Sequence, residues 1–113
     1  MSNNDCGILI NGNHTDIAVK VYKNRLFIIV TQFQKFGSMV TVTRESSLDQ
    51  FNSDTYSTHV IFGKDTEEVH AAVRYIAEAI NIDRPLLLSI ALKDYELSTL
   101  KVIVSTINKL KAW

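Results

Sequence analysis

The feature that most constrains this fold lies in residues 25–44, RLFIIVTQFQKFGSMVTVTR. The first half of this stretch has the pattern of a β-strand. Successive side chains of a strand point to opposite faces. One face would carry Leu26, Ile28 and Val30, and the other Phe27, Ile29 and Phe33. Because both faces are apolar, both need a layer that excludes water. The run therefore predicts a central strand with packing on both sides.

The second half of this stretch predicts a partner strand over residues 39–43, with Val40 and Val42 on one face. A short connection, QKFG, separates the two halves, and its Gly37 is free to adopt a positive φ. The sequence thus predicts a β-hairpin over residues 25–44 in the middle of the sheet.

Turn signals and apolar periodicity divide the rest of the chain. Asn11-Gly12 between two apolar runs predicts a hairpin. After a strand over residues 58–62, Asp65 serves as the N-cap of a helix, and Pro85 precedes an apolar strand over residues 86–92. Asp94 caps a last helix, which has an apolar stripe widened by Val102 and Ile103; the stripe is Leu97, Leu100, Val104, Ile107 and Leu110. The order βββββαβα predicts an α+β fold: an antiparallel sheet of about six strands, arranged as a meander, with two α-helices.

Length and charge limit the classes of function. The 113 residues predict a single domain, 1–113. Twelve basic and twelve acidic residues cancel, so no net field draws the chain to nucleic acid or to a membrane. The one cysteine cannot form an internal disulfide, and no run resembles a signal peptide or a membrane span. These features predict a soluble intracellular protein. We expect it in the cytoplasm, with the nucleus as a second compartment.

The residues that could support chemistry do not form a site. Glu67-x-x-His70 matches half of a di-iron helix signature, but no second half is present. Gly63-Lys64 resembles the end of a phosphate-binding loop, but Asp65 stands where serine or threonine is required. The sequence therefore predicts no catalytic residue, no metal and no cofactor.

Three segments, in this order, resemble one known family. They are VTQF at residues 30–33 with Lys35, Gly37 and Ser38; LLLSIALKD at residues 86–94; and a last helix that ends on Trp113. Over about residues 16–113 the chain resembles the proteasome assembly chaperone 3 family. The resemblance implies a non-catalytic chaperone that forms a heterodimer with a second assembly chaperone, or a homodimer. It also implies that the pair binds proteasome α-subunits and promotes assembly of the α-ring of the core particle.

The apolar pattern independently predicts a dimer. Two helices can cover one face of the sheet, and within 113 residues little remains to cover the other. The candidate dimer or sheet-face contacts are Ile28, Ile29, Phe33 and Phe36. For the two phenylalanines, a place in the core or the turn remains an alternative.

Residues 45–57, ESSLDQFNSDTYS, lack periodicity and predict a mobile loop with three carboxylates and no basic residue. Its candidate α-subunit contacts are Glu45, Asp49, Phe51, Asp54 and Tyr56, with acids that steer and aromatics that anchor. Alternatively, these side chains fold back onto the sheet edge.

Two other functions remain open from the sequence. Residues 35–40, KFGSMV, weakly match an RNA-recognition strand, which would make the chain a small RNA-binding domain. However, such modules stack bases on exposed aromatic residues, and the predicted strand over residues 39–43 has no aromatic residue. The third alternative is a generic dimeric adaptor.

Overall fold

The structure is a computed structural model that describes residues 2–32, 37–45 and 55–113. Its elements follow the predicted order βββββαβα. The strands are β1 (Ser2–Ile10), β2 (Asn13–Val21), β3 (Leu26–Gln32), β4 (Ser38–Glu45), β5 (Thr55–Gly63) and β6 (Leu86–Ala91). The helices are α1 (Glu67–Ala79) and α2 (Leu97–Leu110). Within these described ranges, no helix is long and apolar enough to cross a membrane.

The sheet is mixed, so the predicted antiparallel meander is wrong. Its strand order is β1-β2-β3-β6-β4-β5, which places β6 between β3 and β4. Strand β6 pairs in parallel with β3, where Leu88 lies opposite Ile28, and antiparallel with β4, where Leu88 lies opposite Val40. Residues 25–44 therefore form two strands that flank β6 instead of a hairpin. The physical reason is that β6 is uncharged, and a central position pairs its backbone groups on both sides.

Gly37 has a different role from the one predicted. Among the described glycines, Gly12 and Gly63 adopt positive φ, whereas Gly37 does not. A Cβ atom on Gly37 would collide with the carbonyl oxygen of Ile90 and would lie 2.7 Å from the Cα atom of Ala91. Glycine is therefore needed where the chain passes close to β6.

The predicted turn between β1 and β2 is confirmed. Asn11 and Gly12 both adopt positive φ, at 51° and 78°, and Ile10 pairs with Asn13 across the turn. Two consecutive residues with positive φ form the type of turn that follows the twist of a hairpin.

Both helices pack on one face of the sheet, which we call the helix face. Its central row is Val19, Ile28, Leu88 and Val40, and all four side chains are fully buried. Helix α1 lies over β4 and β5, while α2 lies over β1 and β2. The hydrophobic core is therefore a single layer between this face and the helices.

The helix starts differ in detail from the prediction. Thr66, not Asp65, is the N-cap of α1, and its hydroxyl accepts a hydrogen bond of 3.3 Å from the amide of Val69. At α2 the carboxylate of Asp94 accepts bonds from the Glu96 amide and the Thr99 hydroxyl, so it supports the helix start from just outside.

The apolar stripe of α2 differs from the predicted one at Leu97 and Val102, which are exposed, and at Thr99, which is buried. Leu97 is 53% exposed, whereas Thr99 and Ile103 are buried beside Leu100 and Ile107. Because Thr99 donates its hydroxyl proton to Asp94, this polar residue can lie in the buried stripe.

Candidate functional site

The sheet face opposite the helices is the candidate functional site, and we call it the open face. One row of side chains crosses β2, β3, β6, β4 and β5, and it consists of Ala18, Ile29, Ser89, Met39 and Phe62. Both described helices lie on the other side of the sheet. In the part of the chain that the structure describes, this face therefore has no covering layer.

The open face is apolar at its centre and at two corners. Its half-buried central side chains are Phe27, Ile29, Leu87 and Met39. Large apolar side chains near the outer strands are far more exposed: Leu9 at 72%, Ile61 at 57% and Phe62 at 63%. Apolar side chains in such a group, rather than scattered singly, mark an interaction surface.

Charged groups on the open face lie toward the β1–β2 side. Asp5 and Asp16 border a shallow cavity of about 310 Å³, whose floor includes the small residues Gly7 and Ala18. The imidazole Nε2 of His14 lies 2.9 Å from the Asp16 carboxylate. The rest of the described open face, around β3, β6 and β4, is apolar or neutral except for Glu45 at the end of β4. Its centre is therefore suited to packing against another apolar surface.

The structure separates the predicted sheet-face contacts. Ile28 lies on the helix face with no exposed surface, so it belongs to the core. Ile29 lies on the open face, opposite Ala18 and Ser89. Phe33 and Phe36 are outside the described residues. Only Ile29 among the described candidates can therefore contact another protein, and that role stays a prediction.

The predicted α-subunit contacts lie at one end of the sheet. Glu45 is exposed at the end of β4, and its carboxylate accepts a 3.3 Å hydrogen bond from the Ser57 hydroxyl. Tyr56 on β5 is half-buried against the core, with the Arg44 guanidinium 6.0 Å from its ring centre. Asp49, Phe51 and Asp54 fall in residues 46–54, outside the described residues. Their role in binding stays a prediction.

A polar cluster that the sequence did not reveal joins β5 to α1. The Thr58 hydroxyl lies 2.6 Å from Nδ1 of His70, and Nε2 of His70 lies 2.6 Å from the Asp65 carboxylate. With a neutral imidazole, Nε2–H donates to Asp65 and Nδ1 accepts from Thr58. Both ring nitrogens are thus used in holding the strand to the helix, which gives His70 a structural role.

No sequence motif signals this cluster, because its three residues lie on β5, on α1 and in the connection between them, with no characteristic spacing. The described residues also contain no group of three histidine, cysteine or acidic side chains that could hold a metal ion.

Comparison with known proteins identifies the family. The sequence matches the family described as Proteasome assembly chaperone 3 over residues 28–110. It is 36% identical over 113 residues to proteasome assembly chaperone 3 of Nematostella vectensis, covering 91% of this chain and 84% of that protein. It is 23% identical over 108 residues to the Homo sapiens protein of the same name, covering 93% of this chain and 88% of that protein.

A solved structure has the same fold. A chain in the crystal structure of a chaperone complex for yeast 20S proteasome assembly superposes with a TM-score of 0.80 at 14% sequence identity. The superposition covers 99% of this chain and 100% of that one. Since the sequence match extends from β3 to the end of α2, the chain belongs to the proteasome assembly chaperone 3 family.

Proposed function

We propose that this chain is a non-catalytic chaperone that promotes assembly of the α-ring of the proteasome core particle. It is a proteasome assembly chaperone by family. In the proposed mechanism it pairs with a second assembly chaperone, or with itself, and the pair binds α-subunits. The proposed location of the protein in the cell is the cytoplasm and the nucleus. Microscopy of a fluorescent fusion to the full chain would test this location.

The observation that supports pairing of this chain with a second chaperone chain is the uncovered apolar open face. Two sheets pack face to face about 10 Å apart and interdigitate their side chains. A second chain of similar fold would present the same kind of face, so both partners would bury apolar surface in one contact. The aromatic and aliphatic centre around Phe27 and Ile29 suits this packing, since both side chains are already half-buried.

Assembly by binding needs no chemical step. A protein that holds subunits in position raises the population of the correct intermediate by mass action. The pair would leave its sheet edges, helices and loops exposed for α-subunits after the open faces have joined. Glu45 and Tyr56, at one end of the sheet, are proposed contacts of this kind.

The test is α-ring assembly from purified subunits with and without the chaperone pair. Native mass spectrometry would count subunits per particle over time, and we expect complete rings to form faster when the pair is present. The Ile29→Asp variant is the control, because its charge on the open face prevents pairing without entering the core. Equal rates of ring formation with and without the wild-type pair would refute the proposed function.

A further inference from the structure

The neutral chain separates its charges toward opposite ends. Strands β5 and β6 point the same way, because both pair antiparallel with β4. Helix α1 follows β5 and α2 follows β6, so both helices begin at the same end of the sheet and end at the other. The first end carries two lysines, Lys64 and Lys93, and a larger number of acids near the helix starts: Asp65, Glu67, Glu68, Asp94 and Glu96. We call it the acidic end.

The opposite end is basic, and two hydrogen bonds connect its parts. The guanidinium of Arg84 donates to the carbonyl of Tyr22 at 2.8 Å, which joins the β2–β3 turn to the start of β6. The amide of Asn4 donates to the carbonyl of Leu110 at 2.9 Å, which fixes the end of α2 beside β1. We call this surface the basic end, and its cations include Lys23, Arg25, Arg84, Lys109 and Lys111. The end of β4 and the end of α1 also lie here, so the acids Glu45, Glu78 and Asp83 belong to the same surface and are outnumbered by its cations.

Two of these cations are already engaged. Arg84 forms a two-bond ion pair with Asp83, at 2.7 and 2.9 Å. Lys111 donates to the carbonyl of Ile80 at 3.0 Å. By contrast, Lys23, Arg25 and Lys109 are exposed and have no ion pair within the described part of the chain. These three charges are therefore available to a partner.

Helix dipoles explain only part of this separation. Acids near helix starts and a lysine in the last turn of α2 oppose the partial charges of the helix ends. Lys23 and Arg25 lie in a turn between strands, where no helix end requires them. The exposed ring of Tyr22 lies between them and β2, and Trp113 is half-exposed beside Lys111. Tyrosine, tryptophan and arginine are the residue types that most often contribute binding energy at protein interfaces.

We propose that the basic end docks onto an acidic surface of the α-subunit that this chaperone binds. This inference rests on the proposed function and adds the chemistry of the client surface. The opposed charges also give the molecule a dipole, so an acidic client surface would draw the basic end toward it and repel the acidic end. The docked orientation is then selected before contact, although the net charge is zero.

A protein surface fits the basic end better than a nucleic acid does. Affinity for nucleic acid depends on the number of phosphates neutralised, and three available cations provide few. Asp83 lies within the same surface, and the acidic end would repel a long polyanion that extended along the molecule. A folded client with a local acidic patch would meet the basic end alone.

The test compares two triple variants with equal changes in net charge. The first, Lys23→Gln, Arg25→Gln and Lys109→Gln, neutralises the basic end. The control, Lys64→Gln, Arg74→Gln and Lys101→Gln, removes two lysines and one arginine that are exposed elsewhere. Stopped-flow measurement would give the association rate constant of each chaperone pair with a purified α-subunit, at low and at high salt.

We expect the basic-end variant to associate about fivefold more slowly than wild type at low salt, with the difference shrinking at high salt. The control should stay close to wild type. Equal slowing of both variants would attribute the effect to net charge, and unchanged rates in the basic-end variant would exclude docking there. Either result would overturn the inference while leaving α-subunit binding intact.

A binding assay with a single-stranded RNA oligomer and with anionic lipid vesicles completes the test. Binding of either probe that is lost in the basic-end variant, while α-subunit capture is unchanged, would assign the surface to that other partner. If the wild-type pair captures no α-subunit, the proposed function itself fails.

Discussion

At the scale of single residues, Ile28 and Ile29 are neighbours in sequence with opposite environments. Ile28 is fully buried under the helices, and Ile29 is half-buried on the open face. We expect Ile28→Asp to unfold the chain, because an unpaired buried carboxylate costs more than about 4 kcal/mol. Ile29→Asp should change the free energy of unfolding of the isolated chain by no more than about 1 kcal/mol. Urea unfolding followed by circular dichroism measures both.

Conservative variants control for changes in shape. Ile28→Val removes one methylene group and should cost about 1 kcal/mol. The assignment of faces would be contradicted by a folded Ile28→Asp variant, or by an Ile29→Asp variant that is as unstable as its neighbour.

Tyr95 makes stability depend on alkaline pH. Burial raises the pKa of its phenol above the ordinary value of 10.0, although the bond to the backbone of Leu92 opposes the shift. Above that ordinary value, the unfolded state loses the Tyr95 proton while the folded state keeps it, so the free energy of unfolding falls. We expect unfolding by urea to become easier as pH rises from 8 to about 11. Tyr95→Phe should weaken this dependence, and an identical pH profile in wild type and variant would rule out the contribution of Tyr95.

At the scale of elements, the end of α1 is completed by residues distant in sequence. Asn81 adopts a φ of 55°, and the amides of Asn81 and Ile82 donate back to the carbonyls of Glu78 and Ala77, which is a Schellman motif. The last turn of α1 has no basic residue of its own. Lys111 supplies the charge by donating to the carbonyl of Ile80. The segment after α2 thus stabilises α1.

This contact predicts that Lys111→Met lowers the free energy of unfolding by about 1 kcal/mol, since methionine keeps the apolar stem and loses the charge. Lys101→Met, in the exposed middle of α2, is the matched control and should have almost no effect. Urea unfolding of the two variants measures the difference. Equal stabilities would show that the bond from Lys111 contributes nothing.

The existence and type of the elements could be predicted from sequence, but the position of β6 could not. Alternation and turn residues act over a few positions and set which segments become strands or helices. They do not determine which strands pair, because a strand that is apolar on both faces has the same sequence pattern whichever strands lie next to it. Gly37 shows the ambiguity. A glycine after QKF fits a hairpin corner, yet its actual requirement is the close approach of Ile90 on β6.

At the scale of the whole molecule, the sequence predicted an uncovered second face but not which residues form it. Alternation places Ile28 and Ile29 on opposite faces and leaves open which face the helices cover. The buried row from Val19 to Val40 answers that question. Similarly, a net charge of zero conceals the separation of acids from bases, because that separation depends on both helices starting at the same end of the sheet.

The open face predicts the assembly state of the whole molecule. At micromolar concentration we expect the chain to form a dimer, or to form one when its partner chaperone is added, because apolar side chains such as Phe62 are otherwise left in water. Light scattering of the chain alone, and of the mixture, gives the mass of the particle. A stable monomer in both conditions would contradict the prediction.

Calorimetry separates burial of the open face from association through charges. Removing apolar surface from water on pairing should give a negative heat-capacity change, and the affinity should depend little on salt. Ile29→Asp should abolish pairing, because its carboxylate would be trapped between two apolar sheets without a partner. A matched change at the basic end, Lys23→Gln, should leave pairing intact, since that residue lies in the β2–β3 turn away from the face. Pairing that survives Ile29→Asp but weakens with salt or with Lys23→Gln would place the contact at the charged end of the molecule instead.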